Sequence, residues 1–112
     1  VISKELVAAS SKPMILAILA RGESYGYAII QNVRDRSGGA LEWTEGMLYP
    51  VLHRLERDEL VRARWKVSEA GRRRKYYALS AKGRKALEAE RKQWSVVSST
   101  LSGLWEPDPC ST

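Results

Sequence analysis

At 112 residues and 44% hydrophobic, the chain is long enough for one domain with a compact core. Its net charge of +6 points to an acidic partner, and its longest apolar run, Pro13 to Ala20, is too short to cross a bilayer, so a cytoplasmic protein is expected. The single cysteine, Cys110, sits in a tail containing Pro and Ser, which excludes a disulfide framework within the chain.

Met14 to Leu19 reads as a buried helical run stopped by Gly22, and Ser3 to Ser11 adds an amphipathic turn or two with Leu6, Val7 and Ala9 on its apolar side. Pro13 leaves the join between them open. Ser24 is the expected N-cap of a second helix whose Ile29, Ile30 and Val33 face inward and which ends at Ser37-Gly38-Gly39. Thr44 caps a third helix, and Trp43 before that cap has the spacing to Leu48 of a hydrophobic staple. Leu48, Leu52 and Leu55 then form the core side, leaving Glu45, Tyr49, His53, Arg54 and Arg57 outside. Pro50 removes one backbone donor and crowds the carbonyl of Gly46, which predicts a bent first turn.

From Val61 to Val67 every odd position is apolar and every even one basic, the period of a strand with one buried and one wet face. A second aromatic strand, containing Tyr76 and Tyr77, follows a glycine-bearing loop; adjacent strand residues face opposite sides, so one of the two tyrosines faces the core. Arg72, Arg73, Arg74 and Lys75 directly follow Gly71, a cluster that repels itself unless a polyanion such as phosphate lies beside it. The positive charge is concentrated here: residues 54–92 hold fourteen Lys/Arg against six Asp/Glu, whereas residues 1–53 are balanced at five each. The hairpin therefore reads as the wing of a winged helix-turn-helix. A last helix starts at a Ser80 cap and runs to about Leu104. Its Leu87, Trp94, Val97, Leu101 and Leu104 have nearly the spacing of a coiled-coil seam, consistent with pairing between two chains or with packing on the chain's own core.

In a helix-turn-helix the second helix lies in the major groove with its N-terminal residues near base edges. Thr44, Glu45, Met47 and Leu48 then define the first-turn neighbourhood, and Tyr49, His53 and Arg54 reach phosphates. Glu45 either accepts from a cytosine amino group or complements the helix dipole, and Tyr49 either meets DNA or is half-buried under the wing. His53 and Cys110 lack the carboxylate and thiol neighbours of a metal site, no cofactor is called for, and one histidine on a DNA-facing helix offers no catalytic constellation.

Tyr25-Gly26-Tyr27-Ala28-Ile29, Glu45-Gly46-Met47-Leu48-Tyr49-Pro50, Leu55-Glu56, and Gly71 through Ser80 with Gly83 occur in an order and spacing that resemble the PadR family of bacterial transcriptional regulators. The resemblance covers Lys4 to Leu104, and the single last helix is similar to the short, LmrR-like subfamily. Two residues depart from the family's pattern: Glu59 stands where a Gly usually turns the chain after the third helix, and Glu45 where many relatives have Pro. The resemblance implies a homodimer and a ligand pore in which Trp94, Val97, Ser98 and Leu101 meet Leu6, Ala9, Pro13 and Ala17. In a two-fold dimer the two Trp94 rings can flank a flat aromatic molecule, the alternative being ordinary dimer core. Arg91 stands where the multidrug-binding relative has an aromatic and Ser98 where it has an acid, which favours neutral or anionic ring systems over cations.

The expected architecture is mainly α with a small β-hairpin. Residues 1–80 make a winged helix-turn-helix including an N-terminal helix, 81–105 a dimerisation helix and 106–112 a flexible tail. The expected function is a sequence-specific DNA-binding regulator, a repressor whose operator affinity is modulated by an aromatic small molecule, with binding residues Thr44, Glu45, Met47, Tyr49, His53, Arg54, Arg72, Arg73, Arg74 and Lys75. A ligand-sequestering or protein-interaction module without operator binding is the alternative.

Overall fold

The computed structural model describes residues 1–107, so Cys110 and most of the expected tail lie outside the described residues. The elements run α1 (Lys4–Ala20), β1 (Ser24–Tyr25), α2 (Gly26–Arg36), α3 (Glu45–Arg57), β2 (Val61–Val67), β3 (Arg73–Leu79) and α4 (Ala81–Trp105). The mainly helical architecture with a small sheet is the one expected.

The open join at Pro13 resolves as a single helix. Ser3 caps α1 by accepting from the Leu6 amide, and the helix continues through Pro13 to Ala20, burying Ile15, Leu16 and Leu19. Pro13 has no N–H for the carbonyl of Ala9, so one helical bond is missing there. The deep burial of the following turn holds the helix together across the gap.

Ser24 is not a helix cap. Ser24 and Tyr25 form a two-residue strand paired antiparallel with Tyr77 and Tyr76, giving a sheet ordered β1-β3-β2. The second helix therefore begins at Gly26, with Tyr25 in the cap position and making no side-chain cap bond. Gly26 is required by close approach, because a Cβ there would overlap the Tyr49 hydroxyl of α3. Ile29 and Val33 of α2 are buried as expected.

Thr44 Oγ1 accepts from the Met47 amide at 3.2 Å, as a cap should, and both Trp43 and Leu48 are buried in the common core. The helix runs through Pro50 as one element, burying Leu48, Val51, Leu52 and Leu55. Ser80 fastens the next junction. Its Oγ accepts from the Gly83 amide at 2.9 Å, and its hydroxyl lies within hydrogen-bonding reach of the Glu59 and Leu60 carbonyls. Gly83 lets α4 come this close, since a Cβ would overlap the Leu60 carbonyl oxygen.

The expected seam of α4 divides in two. Leu87 packs against the domain's own core, and Lys12 of α1 pairs with Glu90 at 3.7 Å, so the first half of the helix belongs to the body. Val97 is 50% exposed and Leu104 75%, so the second half projects beyond it. The molecule measures 66 × 29 × 21 Å as a result.

Candidate nucleic-acid interface

The hairpin register, from Val61 opposite Leu79 to Val67 opposite Arg73, sorts the wing's side chains onto two faces. Trp65, Arg73, Lys75 and Tyr77 share the face turned toward α3, and Lys66, Arg74 and Tyr76 the other. Tyr77 is the tyrosine that enters the core, at 1% exposure, and burial pushes its phenol up. Only the base of the alternating strand is buried, however. Val61 is in the core, whereas Trp65 is 56% exposed and Val67 also lies open, because β2 runs out past the helices that would cover its apolar face.

The strand's basic face is likewise less free than its sequence implies. Glu23, in the link between α1 and β1, receives two Arg64 guanidinium nitrogens at 3.0–3.2 Å and the Lys66 ammonium. The Arg64 hydrogen bonds, with those from Lys66, hold the Glu23 carboxyl below the usual carboxylate range. Lys75 lies 3.4 Å from Glu56 of α3. Burial works against its charge, but the neighbouring Tyr77 oxygen and the Glu56 carboxylate outweigh it and hold the ammonium above the ordinary lysine value. Arg72, Arg73 and Arg74 have no acidic partner among the described residues.

Two of these arginines are oriented by aromatic rings. The Arg73 guanidinium lies 4.7 Å from the Trp65 ring and that of Arg74 4.4 Å from Tyr25, whose ring meets Tyr76 edge-on at 5.2 Å. Stacking of this kind restrains a long side chain while leaving its N–H donors available to an anion.

Wing and helix together enclose a hollow of about 670 Å³. Glu45, Tyr49 and His53 of α3 border it from one side and Arg72, Arg73, Arg74 and Lys75 from the other, so seven of the expected DNA-binding residues meet in one groove. Tyr49 is both groove wall and half-buried brace, its hydroxyl packed over Gly26. The other three lie apart from it. Met47 packs half-buried against the core, Thr44 is engaged as the α3 cap, and Arg54 is exposed outside the groove lining. Tyr25, Tyr27 and Trp65 line it as well, with Gly26 and Tyr77, and had no expected site role. Trp65 carried a signal, an aromatic between two basic residues, which reads equally well as a core-facing strand position, whereas Tyr25 and Tyr27 have no basic neighbour in sequence. Tyr27 is 61% exposed beside α3, a placement suited to nucleic acid.

The residues expected around a ligand do not form one site in the single chain. Ala9, Trp94 and Val97 share a groove between α1 and α4, while Arg91, Trp94 and Ser98 border a second surface on α4. Leu6 and Leu101 are exposed, Pro13 is half-buried, and Ala17 faces a separate hollow against α2. Among the described residues there is no cluster fit to hold a metal ion, and no helix is long and apolar enough to cross a membrane.

A helix-turn-helix followed by a cationic, aromatic-floored wing defines a winged-helix DNA-binding protein. Residues 15–89 match the transcriptional regulator PadR-like family, and the chain belongs to that family. Its members are transcriptional regulators and not enzymes, and the chain is accordingly a DNA-binding regulator. A transcriptional regulator from Clostridium thermocellum superposes with a TM-score of 0.84 at 26% identity, over 95% of this chain and 100% of that one. A PadR-like transcriptional regulator from Bacillus cereus strain ATCC 14579 gives 0.83 at 28%, over 94% and 100%. Transcriptional regulator YqjI of Escherichia coli (strain K12) is 32% identical over 84 residues, 75% of this chain but 39% of that one.

Proposed function

We propose that the chain acts as a two-fold dimer that represses transcription from its operator, and that a planar aromatic molecule at the dimer axis changes its hold on DNA. The observation that carries this reading is the bare apolar stripe formed by Val97, Leu101 and Leu104 of α4 with Leu6 of α1, all exposed in the single chain. Exposed apolar side chains at helical spacing along α4 mark an interaction surface, and a second copy would cover it with the same residues.

On DNA the first turn of α3 enters the major groove with Glu45 near base edges, while Tyr49, His53 and the wing arginines meet phosphates. The unpaired charge on Arg72, Arg73 and Arg74 supports that placement. Such a regulator works in the cytoplasm, where its operator is.

Trp94 is half-buried beside Ala9 in the α1–α4 groove, close to the bare stripe, and Arg91 and Ser98 border its other side. Paired across an axis, two such indoles would hold a ring system by stacking, with Arg91 favouring neutral or anionic ligands. An effector acts only if it binds the DNA-competent and DNA-incompetent conformations unequally. The test uses a variant keeping Trp94 as its one tryptophan, titrated with flavins, phenazines and planar dyes with and without a duplex carrying the operator. Quenching of Trp94 that changes when DNA is present is expected. Absence of quenching across the panel leaves Trp94 as dimer core and removes the effector.

A further inference from the structure

β2 is an edge strand: β3 pairs with it on one side, and no strand among the described residues pairs with the other. The hydrogen bonds at its two ends show which residues face the open side. The Ser80 N–H donates to the Leu60 carbonyl at 3.0 Å and the Ser68 N–H to the Arg72 carbonyl at 2.7 Å, so Leu60 and Ser68 turn their backbone toward the partner strand. Antiparallel pairing alternates this orientation, so Arg62, Arg64 and Lys66 do the same. The N–H and C=O groups of Ala63, Trp65 and Val67 then point outward, without a backbone partner among the described residues.

The same alternation sorts the side chains. Trp65 and Val67 are exposed and apolar on one face of the strand, and Arg62, Arg64 and Lys66 are basic on the other. Only the Glu23 carboxylate answers those three cations, through Arg64 and Lys66, and Arg62 has no acidic partner among the described residues. At the base of the strand a hollow of about 640 Å³ lies between Ala63 and the start of α4, so the edge is uncovered there as well. Glu56 and Glu59 share its wall with Arg62 and Lys82, so the charge that selects a partner lies along the strand beyond the hollow.

We propose that this edge docks an extended segment of a partner protein in which apolar and acidic residues alternate, added to the sheet as a further strand. Its backbone pairs with Ala63, Trp65 and Val67, its apolar side chains cover those of Trp65 and Val67, and its carboxylates lie beside Arg62, Arg64 and Lys66. A second copy of the chain is a poor occupant, because antiparallel pairing of β2 with itself sets cation opposite cation. The wing thereby carries a protein contact along its edge in addition to the DNA contact of its arginines.

The test reads backbone amide hydrogen exchange by NMR in the full chain labelled with nitrogen-15, with a synthetic peptide of alternating valine and glutamate as long as β2. The peptide is expected to slow exchange at Ala63, Trp65 and Val67 saturably, while Arg64 and Lys66, already bonded to β3, serve as the internal reference. A peptide N-methylated at its inner valines, whose amides would face the edge, should bind at least about tenfold more weakly with its charge unchanged. A lysine and valine peptide should fail likewise, as should the original residues rearranged into one valine and one glutamate block. Ala63→Pro removes an outward N–H and leaves the bonds to β3 in place, so it should abolish the protection of Trp65 and Val67 while the melting curve shows the protein folded. If that variant does not fold, the N-methylated peptide decides. The proposal is overturned if the three amides do not respond at millimolar peptide, if any control peptide protects them equally, or if a folded Ala63→Pro variant binds as the parent does. It is overturned equally if the amides are protected without peptide and lose that protection on dilution, which would put a second copy on the edge.

Discussion

Glu59 ends the turn after α3 with φ of 62°, a left-handed conformation that costs a residue bearing a Cβ about 1–2 kcal/mol. It is the residue standing where relatives usually carry Gly, and the geometry shows what that Gly is for. Glu59→Gly should raise stability by about 0.5–1 kcal/mol, less than the full strain because Gly gains entropy in the unfolded chain. Urea denaturation should show a higher midpoint at unchanged slope, and a lower midpoint would show the strain is absent. At Glu23 the expectation depends on pH. Its folded-state pKa lies below the unfolded one, so the clamp on Arg64 and Lys66 stabilises at neutral pH and that contribution is lost as pH falls through the folded value. Glu23→Gln should therefore lower the melting temperature at neutral pH and match the parent once the pH has fallen below the folded-state value of that carboxyl. A gap that persists in acid would assign the loss to packing.

The wing and α3 act as a pair of jaws, each fixed to the other by particular side chains. Gly26 admits the Tyr49 hydroxyl, so Gly26→Ala should displace the Tyr49 ring that walls the groove, destabilising the fold and weakening DNA binding together. The wing arginines bear on binding alone. Removing one cation from a phosphate reduces the salt slope of log affinity by about 0.9, so alanine at Arg72, Arg73 and Arg74 together should flatten it by up to about 3 and weaken all duplexes alike. Binding titrations over a range of salt check this, and an unchanged slope would show that the wing does not touch the backbone. Glu45→Ala, at the groove end of α3, should instead alter which sequences are preferred, measured by competition among duplexes of equal length.

For the molecule as a whole, α4 is the element that a single chain leaves unfinished. Its first half is held by α1 and by the Ser80 junction, and its second half carries apolar side chains into solvent. If a second copy covers that half, Leu101→Asp places a carboxylate in an apolar interface and should yield a folded monomer by sedimentation, with DNA affinity reduced because half-sites are no longer bound jointly. A parent that is itself monomeric at micromolar concentration would exclude the dimer.

The sequence by itself determined what rests on local periodicity and capping. The span of β2, the caps at Thr44 and Ser80, the buried face of α3 and the length of α4 are each dictated by residues within a turn or two of one another. The family motifs and the basic wing were legible for the same reason, and with them the class of protein. Tertiary structure alone decided features that exist only by pairing distant segments. Ser24 and Tyr25 become a strand because Tyr76 and Tyr77 lie beside them, and no local signal separates that strand from a helix cap. Arg64 and Lys66 look as free as Arg72 to Arg74 until Glu23 is brought across from the other side of the domain. Trp65 has the period of a core residue, yet the helices end short of it and leave it as the platform for Arg73. Alternation shows which side chains share a face, whereas burial depends on what the rest of the chain places over that face.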